Sequence, residues 1–151
     1  MNVPGLVANL VLLCALDVSG TATAPVASPA PAPKNEILGI WKGTSICAKV
    51  EGNEFCHDET VVYNFVDVPD RPATVSLKAG RVVDLSVQPM YTLYFTYRPE
   101  KGGWTSEFER PRFRGEWAYT IHGDEMTGTA TLLPNGKVVR NVSAKRAAKD
   151  E

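Results

Sequence analysis

Tyr91-Thr92-Leu93-Tyr94-Phe95-Thr96-Tyr97-Arg98 decides the fold class. Tyr91, Leu93, Phe95 and Tyr97 fall on one face and Thr92, Tyr94, Thr96 and Arg98 on the other. A two-residue period rich in aromatics is the signature of a half-buried β-strand. Beyond it, Pro99-Glu100-Lys101-Gly102-Gly103 predicts a turn, and Trp104–Glu109 returns with Trp104, Ser106 and Phe108 aligned until Pro111 breaks the run. Phe113, Gly115, Trp117, Tyr119 and Ile121 share the next face, with Arg112, Arg114 and Glu116 opposite. His122-Gly123-Asp124 turns the chain into Glu125–Leu133, and Pro134-Asn135-Gly136 turns it again, because Asn-Gly tolerates the positive φ values that tight hairpins need. Lys137–Lys145 closes the series.

The same reading extends upstream. Leu38–Val50 and Cys56–Val66 predict two strands joined by Glu51-Gly52-Asn53-Glu54-Phe55. Asp67–Pro72 is a loop by its prolines and acids, and Ala73–Ala79 a short strand with Val75 and Leu77 on one face. Gly80–Pro89 has mixed periodicity and reads either as a strand or as a structured loop. No stretch carries a helical period, and the strands recur at hairpin spacing, which favours an antiparallel meander over βαβ units. About eight strands in up-and-down order can close into a β-barrel whose interior is either filled by side chains or holds one small ligand. The expected fold is therefore an all-β antiparallel up-and-down barrel over residues 36–146, with a two-sheet sandwich as the runner-up.

The N-terminus has a different character. Leu6–Leu16 is almost wholly apolar and is followed by Ser19, Gly20, Ala22 and Ala24, the pattern of a secretory signal peptide over residues 1–24. Cleavage after Ala24 or after Ala22 fits the small-residue rule, and the run is too short to anchor the chain in a bilayer. Residues 25–35, with Pro25, Pro29, Pro31 and Pro33 among small residues, predict an extended linker, and residues 147–151 a charged tail. The expected location is secreted or periplasmic. Cys14 leaves with the signal segment, so Cys47 and Cys56 remain in an oxidising compartment, where a disulfide is favoured over free thiols. A zinc site wants three or four ligands, which His57 and His122 do not supply with them.

The chain has 151 residues, 44% hydrophobic and 22% charged, which suits a single globular domain. It carries 16 Lys+Arg against 17 Asp+Glu, a balance that announces neither nucleic acid nor an anionic surface as partner. No integral membrane domain is expected, and a closed barrel leaves no edge that forces association, so a monomer is expected.

Gly39-Ile40-Trp41 opens the first strand after the signal segment and before the meander, and on these features the chain resembles the lipocalin-like (calycin) group of small barrels. The resemblance implies that Trp41 plugs the closed end and that a basic residue near the end of the last strand packs across its indole; Arg146 is the candidate and Arg140 the second choice. A cation over an indole contributes about 0.5–2 kcal/mol. The longer Gly39-x-Trp41-x-Gly43-x-Ser45 is similar to the first-strand motif of nitrobindin-type haem barrels, with Ser45 where those carry a third glycine. Haem ligation would fall to His122, which sits beside a turn glycine and reads as a solvent-facing turn residue, so no cofactor is expected.

Tyr91, Phe95, Tyr97, Trp104, Phe108, Phe113, Trp117 and Tyr119 form the candidate pocket lining. Sheet packing alone also demands aromatics at this period, so a filled core explains the same pattern. Arg112 or Arg114, if turned inward, could bind a ligand carboxylate; the competing reading is an outer face of cross-strand ion pairs with Glu107, Glu109 and Glu116. His57 and Glu59 share a face but do not make a metal site, and Asn141-Val142-Ser143 is a formal glycosylation acceptor. No nucleophile elbow, zinc-protease helix or phosphate loop is present, so no enzyme is expected. The pattern points to an exported non-catalytic protein that binds a small apolar or amphipathic molecule. Its alternative is a filled barrel acting through loops such as Asp67–Pro72, as a protein-binding, inhibitory or envelope structural factor.

Overall fold

The computed structural model describes residues 32–148; the expected signal peptide, most of the linker and the end of the charged tail lie outside the described residues. One turn of helix, α1 (Lys34–Ile37), leads into β1 (Gly39–Cys47), β2 (Glu59–Asp67), β3 (Thr74–Val83), β4 (Ser86–Arg98), β5 (Gly103–Arg110), β6 (Phe113–His122), β7 (Glu125–Leu133) and β8 (Lys137–Arg146). Each strand pairs antiparallel with the next, and β8 pairs with β1, so the eight strands form a closed up-and-down barrel.

Alternation drives this arrangement. On β2 the side chains of Val61, Tyr63 and Phe65 are buried while the intervening ones are only half-buried, as a one-sided strand requires. Closure needs one glycine. At Gly43 a β-carbon would stand 2.0 Å from the Ser143 carbonyl oxygen and 2.5 Å from the Ala144 Cα, so β1 and β8 meet at this spacing only because the side chain is missing.

The ambiguous stretch at Gly80–Pro89 resolves into a hairpin. A bulge between Ala79 and Gly80 shifts the register against β4 and puts two buried residues in succession, which scrambles the two-residue period that sequence reading relies on. The strand then runs to Val83 and returns at Ser86 through Asp84 and Leu85, at φ 48° and 65°. The wall is thinnest between β4 and β5, whose pairing is confined to Thr96, Tyr97 and Arg98 against Thr105, Trp104 and Gly103.

One end of the barrel is sealed. Trp41 is fully buried and its Nε1 donates to the Ile37 carbonyl at 2.8 Å, which ties the indole to α1. The Arg146 guanidinium stands 4.3 Å from the centre of the Trp41 ring. Its Nη1 and Nη2 donate to the Leu38 and Glu36 carbonyls at 2.7 and 2.6 Å, and its Nε to Asp124 Oδ1 at 3.0 Å. Behind this plug Phe65, Phe95 and Tyr119 pack ring against ring, with centroids 5.7 Å apart for Phe65–Phe95 and 5.1 Å for Phe95–Tyr119. Trp104 and Met126 are buried in the same core. The connections at the other end are residues 48–58, 84–85, 111–112 and 134–136.

Candidate functional site

At that other end the barrel is not filled. A cavity of about 280 Å³ opens between the strands, walled by Tyr91 and Leu93 of β4, Phe108 of β5, Phe113 and Trp117 of β6, Ala130 and Leu132 of β7, and Val139 of β8. Gly52 and Asn53, from the β1–β2 loop, close one side, and Arg110 and Arg140 complete the lining. The wall is aromatic by design of the backbone: at Gly115 a β-carbon would come within 2.4 Å of the Phe108 ring, so the glycine lets that ring lie across β6. Phe108 then meets Phe113 edge-on at 6.1 Å and Trp117 at 6.2 Å.

The loop wall is fastened in two ways. Cys47 and Cys56 are joined in a disulfide, with Cα atoms 5.9 Å apart. Asn53 Nδ2 donates to the Ala48 and Val139 carbonyls at 2.8 and 2.9 Å, holding the loop to its own first residue and to β8. Asp58 Oδ1 accepts from the Cys47 backbone N–H at 2.8 Å, which anchors the far side of the loop.

On the β1–β2 side the lining turns polar. Arg140 Nη1 donates to Ser45 Oγ at 2.9 Å and to the Ser45 carbonyl at 3.3 Å, and Nη2 to the His57 carbonyl at 2.9 Å. The same Nη1 stands 3.1 Å from Glu59 Oε2, so this cation is neutralised by a carboxylate from β2. Beside this pair the hydroxyl of Tyr63 lies among those of Tyr119, Tyr91 and Ser45. Burial pushes the phenols of Tyr63, Tyr91 and Tyr119 up, so all three stay protonated across the physiological range.

The expected lining thus divides by depth. Tyr91, Phe108, Phe113 and Trp117 line the cup. Phe95, Trp104 and Tyr119 are buried in the solid core, and Tyr97 packs on Trp104 at 5.3 Å towards the sealed end. Arg112 lies in the β5–β6 turn and Arg114 on the outer face of β6, and neither lines the cup. The inward parity of β5 runs through Trp104, Ser106 and Phe108 to Arg110, and extending it two residues past Phe108 would have found that arginine in the sequence. Arg140 lines the cup near the open end, at the opposite end of β8 from the Trp41 plug. His57 contributes its backbone carbonyl to Arg140, Glu59 pairs with the same arginine, His122 ends β6 exposed beside a turn, and Asn141 is exposed on β8. Among the described residues no cluster of three or more His, Cys, Asp or Glu could hold a metal ion, and no helix is long and apolar enough to cross a membrane.

No protein-family model matches the sequence, and no curated protein is similar to it. Among solved structures, fatty-acid-binding protein 1 of Echinococcus granulosus is similar with a TM-score of 0.48 and 11% identity, over 76% of this chain and 99% of that one. A likeness of that degree adds nothing about binding, and the strand pairing alone defines the barrel.

Proposed function

We propose that this chain is an exported, non-catalytic binding protein that holds a small apolar or amphipathic molecule in the open half of its barrel. The observation that carries the reading is the unfilled half: an aromatic and aliphatic cup of about 280 Å³ above a closely packed core. Interiors normally close such space, because each uncontacted wall atom forfeits dispersion energy, so an apolar cup of this size fits a ligand that restores those contacts. Export is supported by the signal-like residues 1–24 and by the disulfide, which suits an oxidising compartment.

Native mass spectrometry of the protein from its own host, set against the denatured protein, reads any cargo as extra mass. An apolar dye then measures the cup directly. Leu132→Trp, which fills the cup, should weaken dye binding at least about tenfold while the melting temperature holds. A host-purified protein that carries nothing, together with no dye binding by the unmodified chain, would sink the reading.

The alternative, a barrel that acts through its loops on another protein, draws on a different observation. Phe55 is 92% exposed and Leu85 99% exposed, both on loops at the open end. The Asp67–Pro72 loop singled out from sequence lies at the sealed end instead. Loss of biological activity in Phe55→Ser and Leu85→Ser, with retention in Leu132→Trp, is the mark of that alternative.

A further inference from the structure

We infer that the open end of the barrel docks on an anionic lipid surface along the edge formed by the β3–β4 and β5–β6 hairpin tips, with Leu85 and Phe113 entering the interface and Arg112 and Arg114 meeting lipid phosphates. This goes beyond the binding reading above and does not depend on the cup's being filled.

The β3–β4 tip is a free finger. Pairing of β3 with β2 ends at Arg81, and pairing of β4 with β5 ends at Thr96, so residues 82–89 form a two-stranded ribbon with no neighbouring strand on either side. Such a ribbon has no core of its own and gains nothing in the fold by being apolar. Yet Leu85 at its tip is 99% exposed and Val87 56% exposed. Leu85 also holds φ 65°, where glycine would cost less. The next tip, adjacent across the poorly paired β4–β5 seam, carries the run Arg110-Pro111-Arg112-Phe113-Arg114, with Phe113 48% exposed. Its three arginines are exposed and make no hydrogen bond or ion pair among the described residues. Asp84 on the finger and Glu109, opposite Arg114, are the acids of this edge, set against Arg81, Arg110, Arg112 and Arg114. Glu51, Glu54 and Asp58 lie on the β1–β2 loop, across the mouth from the β5–β6 tip in the strand order.

Apolar tips interleaved with arginines match an anionic interface, where rings and aliphatic chains enter the headgroup region and guanidinium groups take phosphate. A protein partner is served by one continuous apolar patch with a packed centre. Here Leu85 and Phe113 stand on separate tips with the seam between them, and a fluid surface receives each on its own.

Co-sedimentation of the whole folded protein with vesicles tests this, using phosphatidylcholine alone and phosphatidylcholine with about one-third phosphatidylglycerol. Binding to the mixed vesicles is expected to be at least about tenfold tighter and to fall as salt is raised. Arg112 and Leu85 neither line the cup nor pack in the core, so Arg112→Gln and Leu85→Ser should leave the fold intact. Each should weaken vesicle binding about fivefold, whereas Lys78→Gln on the outer wall should not. Leu132→Trp, which fills the cup, should bind vesicles like the unmodified protein, so the docking and the binding reading fail separately. Equal binding to both vesicles, or full binding by both Arg112→Gln and Leu85→Ser, overturns the inference. Loss in Arg112→Gln alone would mean a purely electrostatic contact and overturn the entry of Leu85. If no vesicle binds while Phe55→Ser and Leu85→Ser abolish biological activity, the open end meets a protein and the lipid surface is wrong.

Discussion

At the scale of single residues, the seal at the closed end depends on Arg146 more than on any other charged side chain described. It holds two carbonyls of the α1 segment and Asp124 while covering the indole of Trp41. Arg146→Ala should lower the unfolding free energy by about 2–3 kcal/mol in urea titrations, combining the cation–π contact with charge-assisted hydrogen bonds left unmade. Arg146→Lys should recover little of this, since a compact ammonium cannot reach both carbonyls and lie flat over the ring. Gly43→Ala should do more damage than either, because a β-carbon there meets backbone rather than a side chain that could yield. Trp41 and Arg146 could be named from the sequence through the family resemblance, whereas Gly43 stood only as part of a motif and its close approach to β8 could not be read there. Nor could the carbonyls that Arg146 holds, because α1 is a turn of four residues, shorter than any window in which a helical period can show.

At the scale of elements, the two connections that shape the open end behave oppositely. The disulfide stiffens the β1–β2 loop, with a sequence separation of 9 between its cysteines. By the loop-closure model, its removal in Cys47→Ser/Cys56→Ser should cost about 2–3 kcal/mol. That corresponds to a fall in melting temperature on the order of 10 °C. Because Gly52 and Asn53 of the same loop wall the cup, reduction should also weaken dye binding, which a disulfide remote from the site would not do. The β3–β4 turn, by contrast, stores strain. Leu85 sits at φ 65° with its side chain almost wholly in solvent, a conformation that costs a branched L-residue energy and returns no packing. Leu85→Gly should therefore raise stability by about 0.5–1 kcal/mol, read as an increase in the urea midpoint at unchanged slope.

The barrel and its strand order could be read from parity, but the division of its interior into core and cup could not. Parity says that Tyr91 and Phe95 point inward; it does not say that Phe95 is met by Phe65 and Tyr119 whereas Tyr91 stacks on Trp117 and lines the open cup with Ala130. Depth depends on which residues stand across the barrel, and those lie on strands distant in sequence. The same limit explains the arginines. Arg112 and Arg114 belong to the conspicuous basic cluster, yet the bare alternation of β5 and β8 turns Arg110 and Arg140 inward.

At the scale of the whole molecule, the protonated phenols of Tyr91 in the cup wall and of Tyr63 and Tyr119 beneath it make the fold sensitive to alkali in a predictable direction. Burial raises the pKa of Tyr63, Tyr91 and Tyr119 above the ordinary tyrosine value of 10.0. Below that value both folded and unfolded chains hold these protons, and pH has no leverage through them. Above it the unfolded chain releases protons that the barrel retains, so the unfolded state binds fewer and stability falls as pH rises. Tyr91 and Tyr119, held furthest above it, give a slope of roughly 3 kcal/mol per pH unit once past the ordinary value, and Tyr63 adds to it in the same direction. The barrel should hold until about pH 10 and then unfold over a narrow interval rather than titrate gradually. Phenolate absorbance and the loss of β-structure, followed together, should for these tyrosines rise and fall in one step. Tyr119→Phe should make that transition shallower by removing one of the three contributions. A phenolate signal from Tyr63 and Tyr119 that develops fully while the barrel stays folded would mean that the hydroxyls beneath the cup reach solvent, and that the floor of the binding site is open where the geometry has it closed.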